Sequence, residues 1–216
     1  MPVSIAIDGT ASSGKGTVAD ILAQKLKIYH LDTGAIYRTV AYACFEDNVD
    51  YSNENEVKRV IRKNKIETVF EDNRQINKLN GVDVQKKIRS QEISNISSII
   101  STFVSVREFV TNIQLNLAQN TSLIIEGRDI GTVVLPNANY KFFLTASPEI
   151  RARRRLIQNN LPENEFENVL CSIIERDKRD ISRENSPLRC ADDAIKIDTS
   201  NLNAQQVADL MLSYIK

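Results

Sequence analysis

The sequence has few of the residues that build disulfide frameworks or histidine metal sites. Its 216 residues include three cysteines and one histidine. The cysteines, Cys44, Cys171 and Cys190, are odd in number and widely spaced, which fits neither a disulfide framework nor a zinc site. The single His30 excludes a histidine-rich metal site and argues against a Ser-His-Asp triad. No apolar run approaches the length of a membrane span, and we find no signal-peptide pattern. These absences predict a cytoplasmic protein.

The sequence also lacks an excess of charge of either sign. Its 28 basic and 28 acidic residues give a formal net charge of zero. This balance predicts no bulk attraction to nucleic acid or to a membrane surface. The length suits one domain with a small insert. We therefore expect small-molecule partners. We also expect the protein to be a monomer.

Glycine is scarce, and its placement is informative. Six of the seven glycines lie in three short loops, and the seventh, Gly81, lies in an Asn-Gly turn. Glycine is costly inside regular structure and useful where the backbone must approach a ligand. The three loops are therefore predicted to form one site. The six are Gly9, Gly14 and Gly16 in the first loop, Gly34 in the second, and Gly127 and Gly131 in the third.

The first loop has the spacing of a phosphate-binding P-loop. Gly9-x-x-x-x-Gly14-Lys15 follows an apolar strand at residues 3–7 and precedes an amphipathic helix. Backbone N–H groups and the helix start would converge on an anion, with Lys15 at the β- and γ-phosphates. The alternative is a glycine turn that only joins a strand to a helix. The predicted ATP-binding residues are Gly9, Thr10, Ala11, Ser12, Ser13, Gly14, Lys15, Gly16 and Thr17.

One position departs from the common P-loop pattern. The Ser or Thr that usually follows the lysine is Gly16 here, and the hydroxyl comes one place later at Thr17. We therefore expect Thr17 to be the loop residue that approaches Mg²⁺, through a water molecule.

The second and third loops each follow a predicted strand. In the second, Asp32 or Thr33 can cap the next helix, and Thr33 and Arg38 are candidates for an acceptor phosphate. In the third, Arg128 and Asp129 lie between two glycines at the carboxyl end of a strand, where parallel sheets bind ligands. Asp129 would hold Mg²⁺ through water or orient Arg128. The alternatives are a capped helix with surface charges and a local ion pair.

Alternating residues between these loops predict an antiparallel meander. Residues 65–70, 74–79 and 82–84 read as strands joined by Asp72-Asn73 and Asn80-Gly81 turns, after a charged helix at 54–63. We interpret about residues 50–90 as an inserted subdomain. Further helices are expected at about 91–101 and 103–119.

Two arginine-rich helices follow the later strands. Ser147 and Pro148 start one helix, and a second is predicted at about 163–184 with Arg176, Arg179, Asp180 and Arg183 on one face. Arginine suits bidentate contact with phosphate oxygens, so these helices are candidates for a mobile lid. The alternative is a solvated surface. A last strand at 194–198 precedes a helix starting at Ser200 or Asn201, and its core-facing residues are predicted to be Val207, Leu210, Met211 and Tyr214.

Together these motifs resemble those of the bacterial cytidylate kinase family, over essentially the whole chain. The second and third loops are far more specific than the P-loop alone. The residues that carry the resemblance are Gly9-x4-Gly14-Lys15-Gly16-Thr17, residues 31–38, residues 88–94, residues 126–134, and Glu175-Arg176-Asp177-x-Arg179-Asp180.

The resemblance implies an α/β fold of the P-loop NTPase type. Its five-stranded parallel sheet would be flanked by helices and would carry a small inserted antiparallel β subdomain and a helical lid. It implies one P-loop kinase domain at 1–216, with core regions at about 1–50, 91–150 and 190–216, a monophosphate-binding insert at about 50–90 and a lid at about 151–189. The implied reaction transfers the γ-phosphoryl group of Mg-ATP to CMP or dCMP.

The resemblance also implies roles for individual residues. Thr33, Arg128 and Asp129 would read the cytosine edge, and the lid arginines would serve the phosphoryl groups. The implied catalytic residues are Lys15, Arg128, Asp129, Arg154 and Arg176. The implied CMP-binding residues are Thr33, Arg38, Arg107, Arg128, Asp129, Asp180 and Arg183.

Two alternatives stay open on the sequence alone. The first is another monophosphate kinase, acting on UMP, AMP or GMP. The second is an ATP-binding regulatory module without turnover. The arginine-rich helices and the second predicted phosphate site argue against the module.

Overall fold

A computed structural model describes residues 2–215 of the chain. Strands and helices alternate at both ends, and an antiparallel sheet lies between them. The strands are β1 (Ser4–Gly9), β2 (Tyr29–Asp32), β3 (Ile66–Glu71), β4 (Arg74–Leu79), β5 (Val82–Asp83), β6 (Leu123–Gly127), β7 (Tyr140–Thr145) and β8 (Ile195–Asp198). The helices are α1 (Lys15–Leu26), α2 (Thr33–Glu46), α3 (Glu54–Lys63), α4 (Gln91–Ile100), α5 (Val104–Asn120), α6 (Pro148–Gln158), α7 (Phe166–Ser182) and α8 (Ala204–Tyr214).

The chain divides into two compact units. The first contains Val3–Ile28 and the chain from Leu123 onward, and the second contains Tyr29–Ser122. The predicted core, insert and lid regions have different bounds from these units, and those regions stay a prediction.

The main sheet is parallel and has five strands in the order β2-β6-β1-β7-β8, which confirms the predicted fold class. In the first unit, Ile5 pairs with Ile124 on one side and with Tyr140 on the other. Strands covered on both faces are nearly continuous apolar runs, as β1 and β6 are. Their side chains pack with α1 and α8 in a core that includes Ile7, Leu22, Phe142, Val207 and Met211.

The second unit contains the predicted meander, with strands in the order β3-β4-β5. Val69 pairs with Ile76 and Leu79 with Val82, as antiparallel neighbours. Both turns have positive φ at their two central residues, which matches the right-handed twist of the flanking strands. Those residues are Asp72 (48°), Asn73 (60°), Asn80 (52°) and Gly81 (83°).

The start of the last helix was predicted wrongly. Asn203, not Ser200 or Asn201, caps α8, in a capping box with Gln206. The Ser200 hydroxyl instead donates to Asp198 Oδ1 at 2.6 Å, so it serves the turn after β8. The sequence does carry this signal, because a glutamine follows Asn203 by three residues, as in a capping box, and no Glu or Gln follows Ser200 or Asn201 at that spacing.

Only two of the four residues that were predicted to face the core from α8 are buried. Val207 and Met211 are buried, whereas Leu210 is 38% and Tyr214 46% exposed. Helix α7 also differs from its prediction at both ends. It begins at Phe166 after a short 3₁₀ turn, and it ends at Ser182, so Arg183 lies just beyond it in extended backbone.

Candidate functional site

The first loop has the strand–loop–helix context that its spacing predicts. Gly9 has φ of 145°, and a Cβ there would lie 1.9 Å from the carbonyl oxygen of Leu144. Gly14 has φ of 93° at the N-cap of α1. Both positions therefore require glycine, because a side chain would clash at one and strain the backbone at both. The result is a tight loop that leads into the N-terminus of a helix, where anions bind.

Lys15 is folded back into this loop. Its side chain is buried, and Nζ donates to Thr10 O at 2.7 Å and to Ser13 Oγ at 3.5 Å. Burial, followed by the nearby charge of Arg128, lowers the pKa of Lys15 to about 7. Neither hydrogen-bond partner carries a charge. An anion in the loop would restore the lysine's preference for its protonated form.

Two arginines of α6 donate hydrogen bonds to the first loop. Arg154 Nη1 donates to Ser13 O at 3.4 Å and to Thr199 Oγ1 at 2.9 Å. Arg155 Nη1 lies 3.5 Å from Ser12 Oγ. Helix α6 is thus attached to the P-loop in this structure, and the predicted catalytic residue Arg154 bonds to protein oxygens there.

Arg151 of α6 was not among the predicted site residues. It is buried, donates to Ala11 O at 3.2 Å, and forms an ion pair with Asp177 of α7 at 2.6 Å. This pair links the P-loop backbone to the second arginine-rich helix. The sequence places four arginines between residues 151 and 155 but does not show which one points inward.

Glu126 lies beside the position at which the loop departs from the common P-loop pattern. A Cβ at Gly16 would lie 2.9 Å from Glu126 Oε1, so a larger residue after Lys15 would require the carboxylate to move. Thr17 is exposed one position further on. Glu126 was missed as a site residue, because only the fold brings the end of β6 next to the start of α1.

The side chains present fit a magnesium ion held partly by a ligand. Within residues 2–215 there is no group of three or more His, Cys, Asp or Glu side chains that could hold a metal. Mg²⁺ is commonly bound by one or two protein oxygens together with substrate phosphates, rather than by a complete protein cage. The Thr17 hydroxyl and the Glu126 carboxylate carry oxygen atoms of the kind that coordinate Mg²⁺.

Asp8 fixes the third loop, and it was not predicted to do so. Its buried carboxylate accepts hydrogen bonds from the N–H groups of Ile130 at 2.8 Å and Gly131 at 2.7 Å. Burial raises the pKa of Asp8 to about 6, although these two N–H groups favour the charged form. The contact anchors a π-helical turn at Ile130–Val134, directly after Arg128 and Asp129.

The structure brings the third loop and the end of α7 together. Arg128 Nε donates to Asp180 Oδ2 at 2.8 Å, and Arg183 Nη2 lies 3.6 Å from Asp129 Oδ1. Burial would raise the pKa of Asp180, but the charges of Arg128 and Arg176 lower it below its usual value. Burial would likewise lower the pKa of Arg128, and Asp180 raises it instead. These charges compensate one another.

In the second unit, the predicted site residue Arg38 forms an ion pair with the carboxylate of Asp32. Asp32 Oδ1 accepts from Ala35 N at 3.0 Å and so caps α2, whereas Asp32 Oδ2 pairs with Arg38 Nη2 at 2.7 Å. Thr33, the alternative cap, is instead the buried first residue of the helix. A Cβ at Gly34 would lie 3.1 Å from Arg38 Nη1, so glycine leaves room for the guanidinium.

Arg107 is also buried in the second unit. Its Nη1 donates to Ser101 O at 3.3 Å, and its guanidinium lies 5.9 Å from the centre of the Tyr37 ring. Nearby in sequence, the Ser98 hydroxyl is buried with no hydrogen-bond partner among residues 2–215. Buried polar atoms without partners are uncommon and call for an explanation, such as a missing ligand. Ser98 was missed because its helix position resembles that of any small core residue.

The fold and the loop define the class of protein as a P-loop kinase-type α/β protein. A model of the family described as cytidylate kinase matches residues 5–216. The chain therefore belongs to the cytidylate kinase family, which confirms the resemblance of its motifs.

Two curated relatives extend this similarity over nearly the whole chain. The cytidylate kinase of Bacillus subtilis (strain 168) is 44% identical over 216 residues, which cover 99% of this chain and 96% of that protein. The cytidylate kinase of Bacillus cereus (strain ATCC 10987 / NRS 248) is 43% identical over 215 residues, with the same two coverages.

A solved structure is similar at the level of the fold alone. The crystal structure of an uncharacterized protein from Eubacterium ventriosum ATCC 27560 has a TM-score of 0.55 and 13% identity, covering 99% of this chain and 98% of that chain. Among the helices of residues 2–215, none is long and apolar enough to cross a membrane.

Proposed function

We propose that the protein transfers the γ-phosphoryl group of ATP to CMP or dCMP, giving ADP and CDP or dCDP. The observation that carries this proposal is the charge-compensated group formed by Arg128, Asp129, Asp180 and Arg183 in the same unit as the P-loop. A protein that only binds ATP has no need for a second set of buried arginines. The 43–44% identity to curated cytidylate kinases supports CMP as the acceptor.

The donor would bind in the P-loop. Backbone N–H groups of residues 9–17 would hold the phosphates of ATP, and Lys15 would leave Thr10 O for the β- and γ-phosphates. Arg154 and Arg176 would add positive charge from the lid. Thr17 and Glu126 would hold Mg²⁺, which supplies charge neutralisation at the phosphate oxygens when bound.

The acceptor contacts would be those that the family resemblance implies. Thr33, Arg128 and Asp129 would contact the cytosine edge, and Arg38 and Arg107 would contact the monophosphate. Asp180 and Arg183 would contact the ribose and phosphate. The buried Ser98 hydroxyl is a further candidate for hydrogen bonding to the acceptor.

The mechanism would need little covalent chemistry from the protein. The acceptor is already a phosphate anion, so a strong general base is unnecessary. Catalysis would consist of positioning two nucleotides and neutralising the charge on the transferring group, mainly by Lys15 and the arginines. Closure of the predicted lid at about residues 151–189 would exclude water, which otherwise accepts the phosphoryl group.

A substrate panel tests this function directly. Release of ADP from Mg-ATP would be measured in a coupled assay with CMP, dCMP, UMP, AMP and GMP as acceptors. We expect the highest kcat/KM with CMP or dCMP. A tenfold preference for UMP or AMP would favour the other monophosphate kinases. Binding of Mg-ATP without ADP release in the presence of any acceptor would favour the regulatory module.

Three further properties belong to the same proposal. The protein would act as a monomer, without nucleic acid or a membrane as partner. It would act in the cytoplasm, where thiols stay reduced, and this agrees with the free state of Cys44, Cys171 and Cys190. Size-exclusion chromatography with light scattering tests the monomer.

A further inference from the structure

The antiparallel sheet of the second unit contributes none of the side chains named in the proposed chemistry, yet one of its side chains contacts the second loop directly. Gln75 lies on β4. Its Oε1 accepts a hydrogen bond from Asp32 N at 2.7 Å, and its Nε2 donates to Asp32 O at 3.1 Å. The amide therefore bonds to both backbone groups of one residue, as a neighbouring strand would.

Asp32 transmits this contact to the candidate acceptor residues. Its two carboxylate oxygens cap α2 at Ala35 and hold the guanidinium of Arg38. The backbone N–H, the backbone C=O and both carboxylate oxygens of Asp32 thus have partners. Since Gln75 supplies two of them, it helps to fix where Thr33 starts the helix and where Arg38 points.

The orientation of the Gln75 side chain is itself fixed within the sheet. Its Nε2 also donates to Asn77 Oδ1 at 3.2 Å, and Asn77 is fully buried. Thr68 of β3 donates to the same oxygen at 2.8 Å. Gln85 Nε2 bonds to the backbone oxygen of Gln75. An amide held from several sides is preorganised to hold its own partner in turn.

We propose that Gln75 is a positioning residue, by which the antiparallel sheet sets the geometry of the acceptor-binding residues Thr33 and Arg38. This inference rests on the proposed function for the identity of the acceptor. It gives the inserted sheet a specific task, which is to hold the start of α2 in the shape that receives a monophosphate.

The first test replaces Gln75 with alanine and measures both substrates. Two lost hydrogen bonds of typical strength predict a rise of about tenfold in KM for CMP. The kcat and the KM for ATP should change less than about twofold, since neither involves Asp32 directly. The matched control is Val82→Ala, a change at an exposed position of the same sheet. An equal rise in both KM values would overturn the proposal.

A double-mutant cycle separates positioning from a general loss of structure. If Gln75 acts partly through Arg38, Gln75→Ala should raise the KM for CMP less in an Arg38→Ala background than in the wild type, and the remaining effect reports on Thr33. Full additivity of the two changes would contradict that route. Gln75→Glu provides a second variant, because it keeps an acceptor for Asp32 N but loses the donor to Asp32 O. It should therefore fail to restore the wild-type KM.

Amide hydrogen exchange keeps this test independent of turnover. In the nucleotide-free protein, Gln75→Ala should speed exchange at Asp32 N and Ala35 N, while amides within α3 keep their rates. Unchanged exchange at Asp32 and Ala35 would overturn the inference even in an active enzyme. If the wild type phosphorylates no monophosphate, the proposed function fails, and the exchange rates still decide whether Gln75 holds the start of α2.

Discussion

Two groups of buried charge in the first unit differ in how they are balanced. In the P-loop, Lys15 donates only to the uncharged oxygens of Thr10 and Ser13, and its pKa falls to about 7. In the α7 group, Arg128 and Asp180 form an ion pair at 2.8 Å, and the pKa of each shifts toward the charged form. Among residues 2–215, no carboxylate bonds to Lys15, whereas Arg128 is already paired with Asp180.

This difference indicates how each substrate would bind. A triphosphate would bring further negative charge to Lys15, whose burial the charges of Glu126 and Asp8 offset only in part. A nucleoside monophosphate would instead have to share Arg128 and Arg183 with Asp180 and Asp129, carboxylates that they already contact. Donor binding would therefore gain more from new electrostatic contacts, and acceptor binding would depend more on the exact arrangement of existing ones.

The largest expected effect comes from removing Lys15, the cation whose burial nearby carboxylates offset only in part. Lys15→Met should lower kcat by about 10³-fold or more, because the transferring group loses its nearest cation. The same change should raise the free energy of unfolding of the nucleotide-free protein, because a desolvated charge is replaced by an apolar chain of similar length. Enzyme assays and denaturant unfolding measure the two effects.

Lys58→Met, at an exposed position of α3, is the control and should change neither quantity appreciably. A folded Lys15→Met protein with near wild-type turnover would remove Lys15 from its proposed role. A loss of stability in that variant would show that the charge of Lys15 is well compensated in the folded protein, as that of Arg128 is.

The next effect comes from breaking the compensated pair. Asp180→Asn leaves Arg128 largely buried without its charge partner, which should cost about 3 kcal/mol of stability. KM for CMP should rise by about tenfold or more, while the dissociation constant for ATP stays nearly unchanged. The control, Asp209→Asn, breaks an exposed pair with Lys25 and should cost less than about 1 kcal/mol. Equal weakening of ATP and CMP binding would place Asp180 at the wrong nucleotide.

Local sequence patterns predicted the features that depend on neighbouring residues. The P-loop needs Gly9 and Gly14 at fixed spacing, and the meander needs turn residues such as Asn80-Gly81, so both could be inferred from a short window. The family motifs then implied the rest of the fold. One local signal was missed, since Ser200 and Asn203 can both cap a helix but only Asn203 has a glutamine three residues later, as a capping box requires.

Three of the missed residues act through partners that are distant in sequence. Asp8 bonds to the turn at Ile130–Val134, Glu126 lies beside Gly16, and Gln75 bonds to Asp32. Each has an unremarkable local pattern, because a strand or strand end commonly carries a polar residue. Their roles follow from strand order and register, which composition and periodicity do not specify in side-chain detail.

A third prediction concerns a compensated pair away from the third loop. Arg151→Met should cost about 3 kcal/mol, because Asp177 would lose its charge partner in a mostly buried position. The double variant Arg151→Met, Asp177→Leu should recover most of that stability, since well-packed apolar residues can replace a buried pair. Urea unfolding of the two variants makes the comparison. If the double variant is the less stable of the two, the hydrogen bond from Arg151 to Ala11 O contributes more than the ion pair.

The smallest expected effect is a difference in pH dependence between the two charge groups. Above pH 7, nucleotide-free Lys15 loses its proton, whereas a bound triphosphate would keep the lysine charged, so binding must take up a proton. The dissociation constant for Mg-ATP should therefore rise by up to about tenfold per pH unit above 7. Calorimetry in buffers of different ionisation enthalpy would show the proton uptake, and Lys15→Met should abolish it.

The same residue should make the free energy of unfolding of the nucleotide-free protein rise with pH, whereas it makes the affinity for Mg-ATP fall. Between pH 7 and the ordinary lysine value of 10.5, the unfolded chain keeps a proton that folded Lys15 has lost, so this residue makes the folded state more stable as pH rises. The Arg128–Asp180 pair should not contribute in this range. The lowered pKa of Asp180 means that its stabilisation is complete above the usual aspartate value and is lost only in acid. An Asp180→Asn variant whose stability follows the wild-type slope above pH 7 would therefore agree with the contrast, and a changed slope would contradict it.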